Sequence, residues 1–305
     1  MLKKLSNLSE QQVFEQIQPT ADRYAAHVYR KVRIADVVDI KFLEAKYSSY
    51  ALKAHYDFVI SDREHTPHFA IEFDGPGHTS QHDIMKDSIC RAANLGLFRV
   101  DLPSTRSKIG DVSLVSYLLH LWFLGMKFKE MQAQGEIPGD EPFMISGFLK
   151  PNARHIFDSE FDLLSPARSQ INCFCRKVGE PFPELAHLSL SELLLRKSSG
   201  EFLAFASYAL GGTKLYGRSA VSLKMPAIGR LEEVDFARVE MGQYCTAAAI
   251  YDLVDQLELL YSGSGHAVRR YDEVVEEIET ARQQGFGFCL AFYGGTDDQL
   301  ARLAR

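Results

Sequence analysis

The sequence predicts an α/β protein, with an αβββαβ domain in residues 1–130 and a mostly α-helical region over residues 144–305. Two observations lead to this prediction. Short apolar or alternating runs typical of strands lie between segments of helical periodicity in the first part. In the second part, three segments look helical and one looks like a short strand. The 305 residues, 46% of them hydrophobic, suit one or two globular domains.

The elements of the first domain follow one another closely. "LSEQQVFEQI" begins with Ser9 as a candidate N-cap and predicts the first helix. A strand is expected near Val28–Ile34. "HYDFVISD" alternates in hydrophobicity and predicts a strand, "FAIEFDG" predicts the next strand, and the two are expected to form a hairpin across the turn "REHTPH".

A helix and a strand complete this domain. "SQHDIMKDSICRAANLG" predicts a helix that ends at Gly96 as C-cap, and "LFRVDL" predicts a strand closed by Pro103. The predicted apolar stripe of this helix consists of Ile84, Ile89, Ala92 and Ala93. The apolar run Val112–Met126 is shorter than the ~20 residues of a membrane span and predicts a buried core helix.

Residues 131–143, "MQAQGEIPGDEPF", contain two Gly and two Pro and predict a linker. Beyond it, "LSLSELLLRKSSGEFLAFASYAL", "QYCTAAAIYDLVDQLELLYSG" and "AVRRYDEVVEEIETARQQG" are predicted helices. "FGFCLAFYGG" predicts a short strand. This region has no motif that assigns it a role.

Composition excludes several classes of protein. A net charge of −6 excludes a globally basic nucleic-acid coat, although a local basic surface stays open. Five cysteines without a CxxC pair argue against a zinc ribbon or a disulfide framework. The N-terminus lacks the apolar stretch of a signal peptide, so we expect a cytoplasmic protein without membrane contact.

Two carboxylates end the strand "AIEFD". Side chains alternate along a strand, so Glu72 and Asp74 are expected on one face, and hairpin pairing brings Asp57 beside Glu72. A divalent cation between them would explain this arrangement, and oxygen ligands favour Mg²⁺ or Mn²⁺. Lys86 follows one turn into the next helix and could supply a positive charge.

These residues resemble the PD-(D/E)XK nuclease superfamily, with its restriction-endonuclease-like αβββαβ core. The branch related to very-short-patch-repair endonucleases has the pattern D…E-x-D-G-x-x-H…D-x-x-K…G…R, and the resemblance covers roughly residues 5–105. The matching residues are Asp57, Glu72, Asp74, Gly75, His78, Asp83, Lys86, Gly96 and Arg99. Asp74 stands where the superfamily's basic pattern has lysine. A first-helix glutamate can join such sites, and Glu10 matches better than Glu15.

The resemblance implies a metal-dependent endonuclease that hydrolyses phosphodiester bonds in DNA, in defence, mobile-element processing or repair. Asp57, Glu72 and Asp74 would bind Mg²⁺ or Mn²⁺, which activates water and neutralises charge on the phosphate. Lys86 would stabilise the transition state, and His78 would act as acid or base or contact phosphate. The C-terminal region would provide contacts to a protein partner or a second copy.

Other interpretations stay open. The chain could be an inactive nuclease-like fold that binds nucleic acid or protein as a scaffold, which the Lys-to-Asp departure at position 74 favours. It could also act on a small phosphate ester. Each residue also has an interpretation without function. Glu72 and Asp74 could lie at an exposed strand end, and Asp57 could be a cap. Lys86 could be a solvated partner of Asp83, and His78 could be an ordinary loop residue. The nearby histidines His55, His65, His68 and His82 could bind zinc but lack a ligand spacing.

Overall fold

The computed structural model describes residues 8–74, 80–150, 152, 154, 159–210, 213–224, 236–263 and 269–293. The chain divides into two compact units. The first comprises Met1–Phe143 and Ser222–Ala237, and the second comprises Met144–Val221 and Arg238–Arg305. Both units contain helices and strands, so the protein is mixed α/β. That residues 1–130 fold by themselves, with residues 131–143 as linker, stays a prediction.

The first unit contains every helix and strand expected in residues 1–130, together with short additional elements. In chain order these are α1 (Leu8–Arg23), β1 (His27–Arg33), α2 (Ile34–Val37), α3 (Ala45–Ala51), β2 (His55–Ser61), β3 (Pro67–Asp74), α4 (Ser80–Ala93), β4 (Gly96–Asp101), α5 (Leu102–Thr105), β5 (Lys108–Ile109), β6 (Val112–Ser113) and α6 (Leu114–Ala133). A 3₁₀ turn at Ile40–Phe42 lies between α2 and α3.

The strands β1, β2, β3 and β4 form a mixed sheet in that order. The predicted hairpin is confirmed, because β2 and β3 run antiparallel with Phe58 opposite Ile71. Strand β4 runs parallel to β3 and places Arg99 opposite Glu72. Residues 222–224 end a later strand and pair antiparallel with β4, with Leu223 opposite Val100. The beginning of β2 and the end of β3 therefore lie side by side within the sheet.

Helix α6 covers one face of this sheet as the predicted core helix. The Trp122 ring packs against Phe69 at 4.8 Å and against Phe98 at 6.0 Å between ring centroids. A Cβ atom at Gly96 would lie 3.1 Å from the Trp122 ring, so glycine lets the indole approach β4. Within the described part of the chain, no helix has the length and apolar character to cross a bilayer.

The second unit contains more strand than predicted. Its elements are α7 (Leu164–Val178), β7 (Ser191–Arg196), β8 (Glu201–Leu210), β9 (Thr213–Lys224), α8 (Phe236–Tyr261), α9 (Tyr271–Gln283) and β10 (Gly287–Tyr293), with 3₁₀ turns at Ile145–Gly147 and Pro183–Ser189. The strand order is β9-β8-β7-β10, and β7 runs antiparallel to both β8 and β10. Strand β9 ends in the first unit, which takes its residues from Ser222 onward.

The mostly α-helical prediction for this region is wrong at "LSLSELLLRKSSGEFLAFASYAL", which forms β7 and β8. Five consecutive residues of β7 are buried, from Ser191 to Leu195, so the strand shows no alternation of apolar and polar residues. Leucine and alanine also favour helices in isolation. Burial between layers overrode that propensity. The two predicted helices that became α8 and α9, and the strand that became β10, are confirmed.

Candidate functional site

Asp57 and Glu72 meet where β2 and β3 lie side by side. The backbone N–H of Asp57 donates to Glu72 Oε1 at 3.3 Å, and the N–H of Phe73 donates to Asp57 Oδ2 at 3.0 Å. Glu72 is only 1% exposed, whereas Asp57 is half-buried. The structure thus joins two of the predicted acids through the backbone of both strands.

The regular pleat of β2 is broken at Asp57. The Tyr56 hydroxyl lies 3.0 Å from Cys90 Sγ, on the face that α4 covers. The ring of Phe58 packs at 5.7 Å against Phe73, which alternation places on the opposite face from Glu72. Residues 56 and 58 of a regular strand would share one face. Such irregularities are common beside active sites, since they redirect a side chain.

Helix α4 presents charged side chains to the sheet beside its buried residues Ile89 and Cys90. Lys86 Nζ donates to Glu72 Oε2 at 2.5 Å. Asp83 and Asp87 point the same way, because both accept from the Arg99 guanidinium at 2.9 and 2.8 Å. These positions recur at helical spacing on one face.

The apolar stripe predicted for α4 is therefore wrong except at Ile89, which is buried. Ile84 is 62% exposed, and Ala92 and Ala93 are also exposed. A helix normally buries its apolar side chains, so the exposure of these three residues needs a physical cause. The cause is the set of charged groups on β3 and β4, which the polar face of α4 pairs.

Asp74 lies on the same side of β3 as Glu72 but interacts with a different partner. Arg99 Nη1 is 3.5 Å from Asp74 Oδ1, and Arg99 itself is buried. Burial lowers the pKa of Arg99, but the hydrogen bond to Asp87 and the charges of Asp87, Asp83 and Glu72 together outweigh it, so the pKa is raised and the side chain stays cationic. The role of Asp74 as a third metal ligand stays a prediction.

Glu10 is linked to Asp57 by Lys31, a lysine that could not be identified as a site residue from the sequence. Lys31 Nζ lies 2.6 Å from Asp57 Oδ1 and 2.9 Å from Glu10 Oε1. Glu15, the fallback, is exposed and accepts from Gln11 at 2.8 Å. It lines a separate 530 Å³ depression together with Gln12, Gln16, Arg106 and Lys108. Of the two glutamates, Glu10 is the one beside the acids.

The electrostatics single out Glu72. Burial raises the pKa of the Glu72 carboxyl to about 7; Asp57 acts in the same direction, and Lys86 and Arg99 oppose it. The Lys86 ammonium, which contacts only Oε2 of Glu72, therefore balances the negative charge of this carboxylate only in part. Burial lowers the pKa of Lys31, but its hydrogen bonds to Asp57 and Glu10 outweigh that effect and raise it.

Among the described residues, negative charge exceeds positive charge at this site. The described ion pairs join nine charged residues, which are Glu10, Lys31, Asp57, Glu72, Asp74, Asp83, Lys86, Asp87 and Arg99. Six of these nine are acids and three are bases, so together they carry three excess negative charges when all are ionised. His78 lies outside the described residues. Within the residues described, no group of three or more His, Cys, Asp or Glu side chains is arranged to hold a metal ion.

Comparison with known proteins adds one match. Residues 2–113 match the model of a family described as a protein of unknown function, DUF2726. Every candidate residue named above lies within that segment. No curated protein and no solved structure matches the chain.

Proposed function

We propose that the first unit is a metal-dependent endonuclease of the PD-(D/E)XK type that hydrolyses phosphodiester bonds in DNA. One observation carries the proposal: Asp57 and Glu72 are joined across β2 and β3, with Lys86 2.5 Å from Glu72. The element order α1, β1, β2, β3, α4, β4 supports a restriction-endonuclease-like core, with α2 and α3 inserted after β1.

The donor chemistry of Asp57 and Glu72 fits Mg²⁺ or Mn²⁺. Both ions prefer carboxylate oxygens, and Mg²⁺ is commonly held by one or two carboxylates together with water and substrate phosphate. Each carboxylate oxygen has two lone pairs, so the hydrogen bonds to Lys31 and Lys86 leave acceptor capacity. The partly compensated charge of Glu72 also favours a cation. Two acids with a substrate phosphate would suffice, which is compatible with the lack of a three-residue metal group among the described residues.

When bound at Asp57 and Glu72, the ion would lower the pKa of water and neutralise a phosphoryl oxygen. In the hydrolysis, the water oxygen forms a new bond to phosphorus as one P–O ester bond breaks. The water loses a proton to solvent or a base, and the departing alkoxide takes one up, so the products are a phosphate monoester and an alcohol. Lys86 holds the Glu72 carboxylate in place through its 2.5 Å contact. Buried Arg99 fixes α4 against β4 through Asp83 and Asp87.

The test is cleavage of plasmid, linear duplex and single-stranded DNA by the full chain with Mg²⁺, Mn²⁺ or EDTA. We expect nicking or linearisation that requires the divalent ion. Glu72→Gln should reduce the rate roughly 10²–10³-fold through the loss of one ligand charge. The matched control is Glu192→Gln, which removes a buried strand carboxylate of the second unit. Absence of cutting by wild type under all conditions, with DNA still bound, would support the inactive scaffold instead.

A further inference from the structure

We propose that Lys31 is the phosphate-binding lysine of this site and that Lys86 serves instead to hold Glu72. The inference rests on the proposed function and names a residue that the family-like motif does not contain. It depends on three properties of Lys31: its contacts, its exposure and its backbone conformation.

The contacts place Lys31 at the acids. Its ammonium lies between Asp57 Oδ1 and Glu10 Oε1, at 2.6 and 2.9 Å. An ammonium that is already next to the acid proposed to bind the metal can reach a phosphate bound by the same metal. Lysine acts on phosphate as a compact point charge with three rotatable donors, so it can exchange one carboxylate partner for a phosphoryl oxygen.

The exposure distinguishes the two lysines. The Lys31 side chain is 43% exposed, whereas that of Lys86 is 13% exposed and that of its partner Glu72 is 1% exposed. A DNA phosphate approaches from solvent, so it meets Lys31 first. Lys86 would have to leave a buried carboxylate unpaired in order to turn outward, which is energetically costly.

The backbone of Lys31 is strained where a β-strand would normally be relaxed. Its φ is +52°, in the left-handed region where a side chain with a Cβ atom crowds its own backbone. It lies between the pairs Arg30–Phe58 and Val32–Tyr56, opposite the break in the pleat at Asp57. Both irregular residues thus come from adjacent strands and meet in one ion pair. Strain of this kind persists where it positions a functional side chain.

Two measurements test the proposal with the full chain, and Arg33→Met is the matched control. Arg33 lies two residues away on β1, is 46% exposed and pairs with Asp36 on the neighbouring helix. The first measurement is affinity for a fluorescein-labelled DNA duplex in Ca²⁺ as salt is varied, followed by cleavage in Mg²⁺. Lys31→Met should weaken binding, lower the salt slope by about one and slow cleavage roughly tenfold or more. Lys31→Arg should retain most binding, and Arg33→Met should behave like wild type.

The second measurement does not depend on cleavage or on DNA. Lys31→Gly and Lys31→Met both remove the charge, but only glycine relieves the positive φ. The glycine variant should therefore melt a few degrees above the methionine variant. Equal melting temperatures would contradict the strain argument.

The outcomes separate the two proposals. If wild type cuts DNA and Lys31→Met binds and cuts like Arg33→Met, the Lys31 inference is overturned and the proposed nuclease stands. If wild type binds but never cuts, the nuclease fails, while a reduced salt slope in Lys31→Met would still support Lys31 as a phosphate contact. If wild type does not bind DNA, both proposals are overturned.

Discussion

Glu72 and Glu192 are two buried glutamates on strands, and their surroundings differ. Glu72 is 1% exposed and lies between buried Ile71 and Phe73, and Glu192 is 3% exposed and lies between buried Ser191 and Leu193. Arg168 meets Glu192 with two parallel hydrogen bonds of 2.7 Å, one to each carboxylate oxygen. Glu72 receives one lysine on Oε2, only a neutral backbone N–H on Oε1, and has the acid Asp57 beside it, so it is the pairing of its charge that is incomplete. The second unit completes the pairing of its glutamate, whereas the first unit leaves it incomplete.

We propose that Glu192 has a structural role and that Glu72 has a functional one. A bidentate arginine matches a carboxylate in shape and charge, so Glu192 is satisfied within its own unit. For Glu72, burial outweighs the single lysine and raises the pKa to about 7. Incomplete compensation of a buried acid leaves a place for a further cation. Residues with strongly perturbed titration are frequent at active sites for this reason.

The largest effect that we expect is a loss of turnover on substitution of Lys86, the cation that pairs with Glu72. Lys86→Ala removes the only ammonium that contacts Glu72 among the described contacts, and the carboxylate would lose its orientation. We expect turnover to fall by roughly 10²-fold while divalent-ion binding survives. Single-turnover cleavage measures this effect. Arg91→Ala, an exposed position on the same helix, is the control and should cut at the wild-type rate. A wild-type rate for Lys86→Ala would show that Lys86 is a structural residue only.

A second effect concerns stability, where the two glutamates should respond with opposite signs. Glu192→Gln leaves Arg168 without its counter-charge and should destabilise the protein by about 2 kcal/mol, since the arginine keeps some contact with solvent. Glu72→Gln also leaves Lys86 without its counter-charge, but burial of the ionised Glu72 carboxylate outweighs its pairing with Lys86, so this substitution should stabilise the protein at pH 8 in EDTA. Urea unfolding of both variants measures the free energies. Destabilisation by both substitutions would remove the contrast.

A third effect is the pH dependence of that gain. The folded-state pKa of Glu72 lies at about 7, above the ordinary value of 4.5, so the folded protein binds the proton more tightly than the unfolded chain. The resulting stability is present in full below pH 4.5 and is lost as the pH rises through about 7. The advantage of Glu72→Gln over wild type should thus vanish near pH 4.5 and reach at most roughly 3 kcal/mol at pH 8. A constant difference across this range would contradict the assigned cause.

Much of the first unit could be predicted because its signals are local. The alternation in "HYDFVISD" identifies β2, the turn "REHTPH" separates it from β3, and the period of two along a strand puts Glu72 and Asp74 on one side. The contact of Lys86 with Glu72 was also within reach of the sequence, because a helix directly after β3 must pass over that strand's end. Strands β7 and β8 were misjudged since burial on both faces removes the alternation on which such predictions depend.

The charged face of α4 and the contribution of Lys31 could not be predicted from the sequence. Ile84 suggested an apolar stripe, and only the tertiary position of Arg99 explains why Asp83 and Asp87 face inward. A lysine with φ of +52° inside a strand has no compositional signal, unlike glycine or asparagine in a turn. Its neighbours on β2 and α1 are distant in sequence.

We propose that a divalent cation completes the pairing of Glu72, whereas Arg168 alone completes the pairing of Glu192. Calorimetric titration of Mn²⁺ into wild type, Glu72→Gln and Glu192→Gln tests it most directly. We expect Mn²⁺ to bind to wild type and to Glu192→Gln, with affinity reduced at least roughly tenfold in Glu72→Gln. Equal Mn²⁺ affinity in all three proteins, or no binding to wild type, would contradict it.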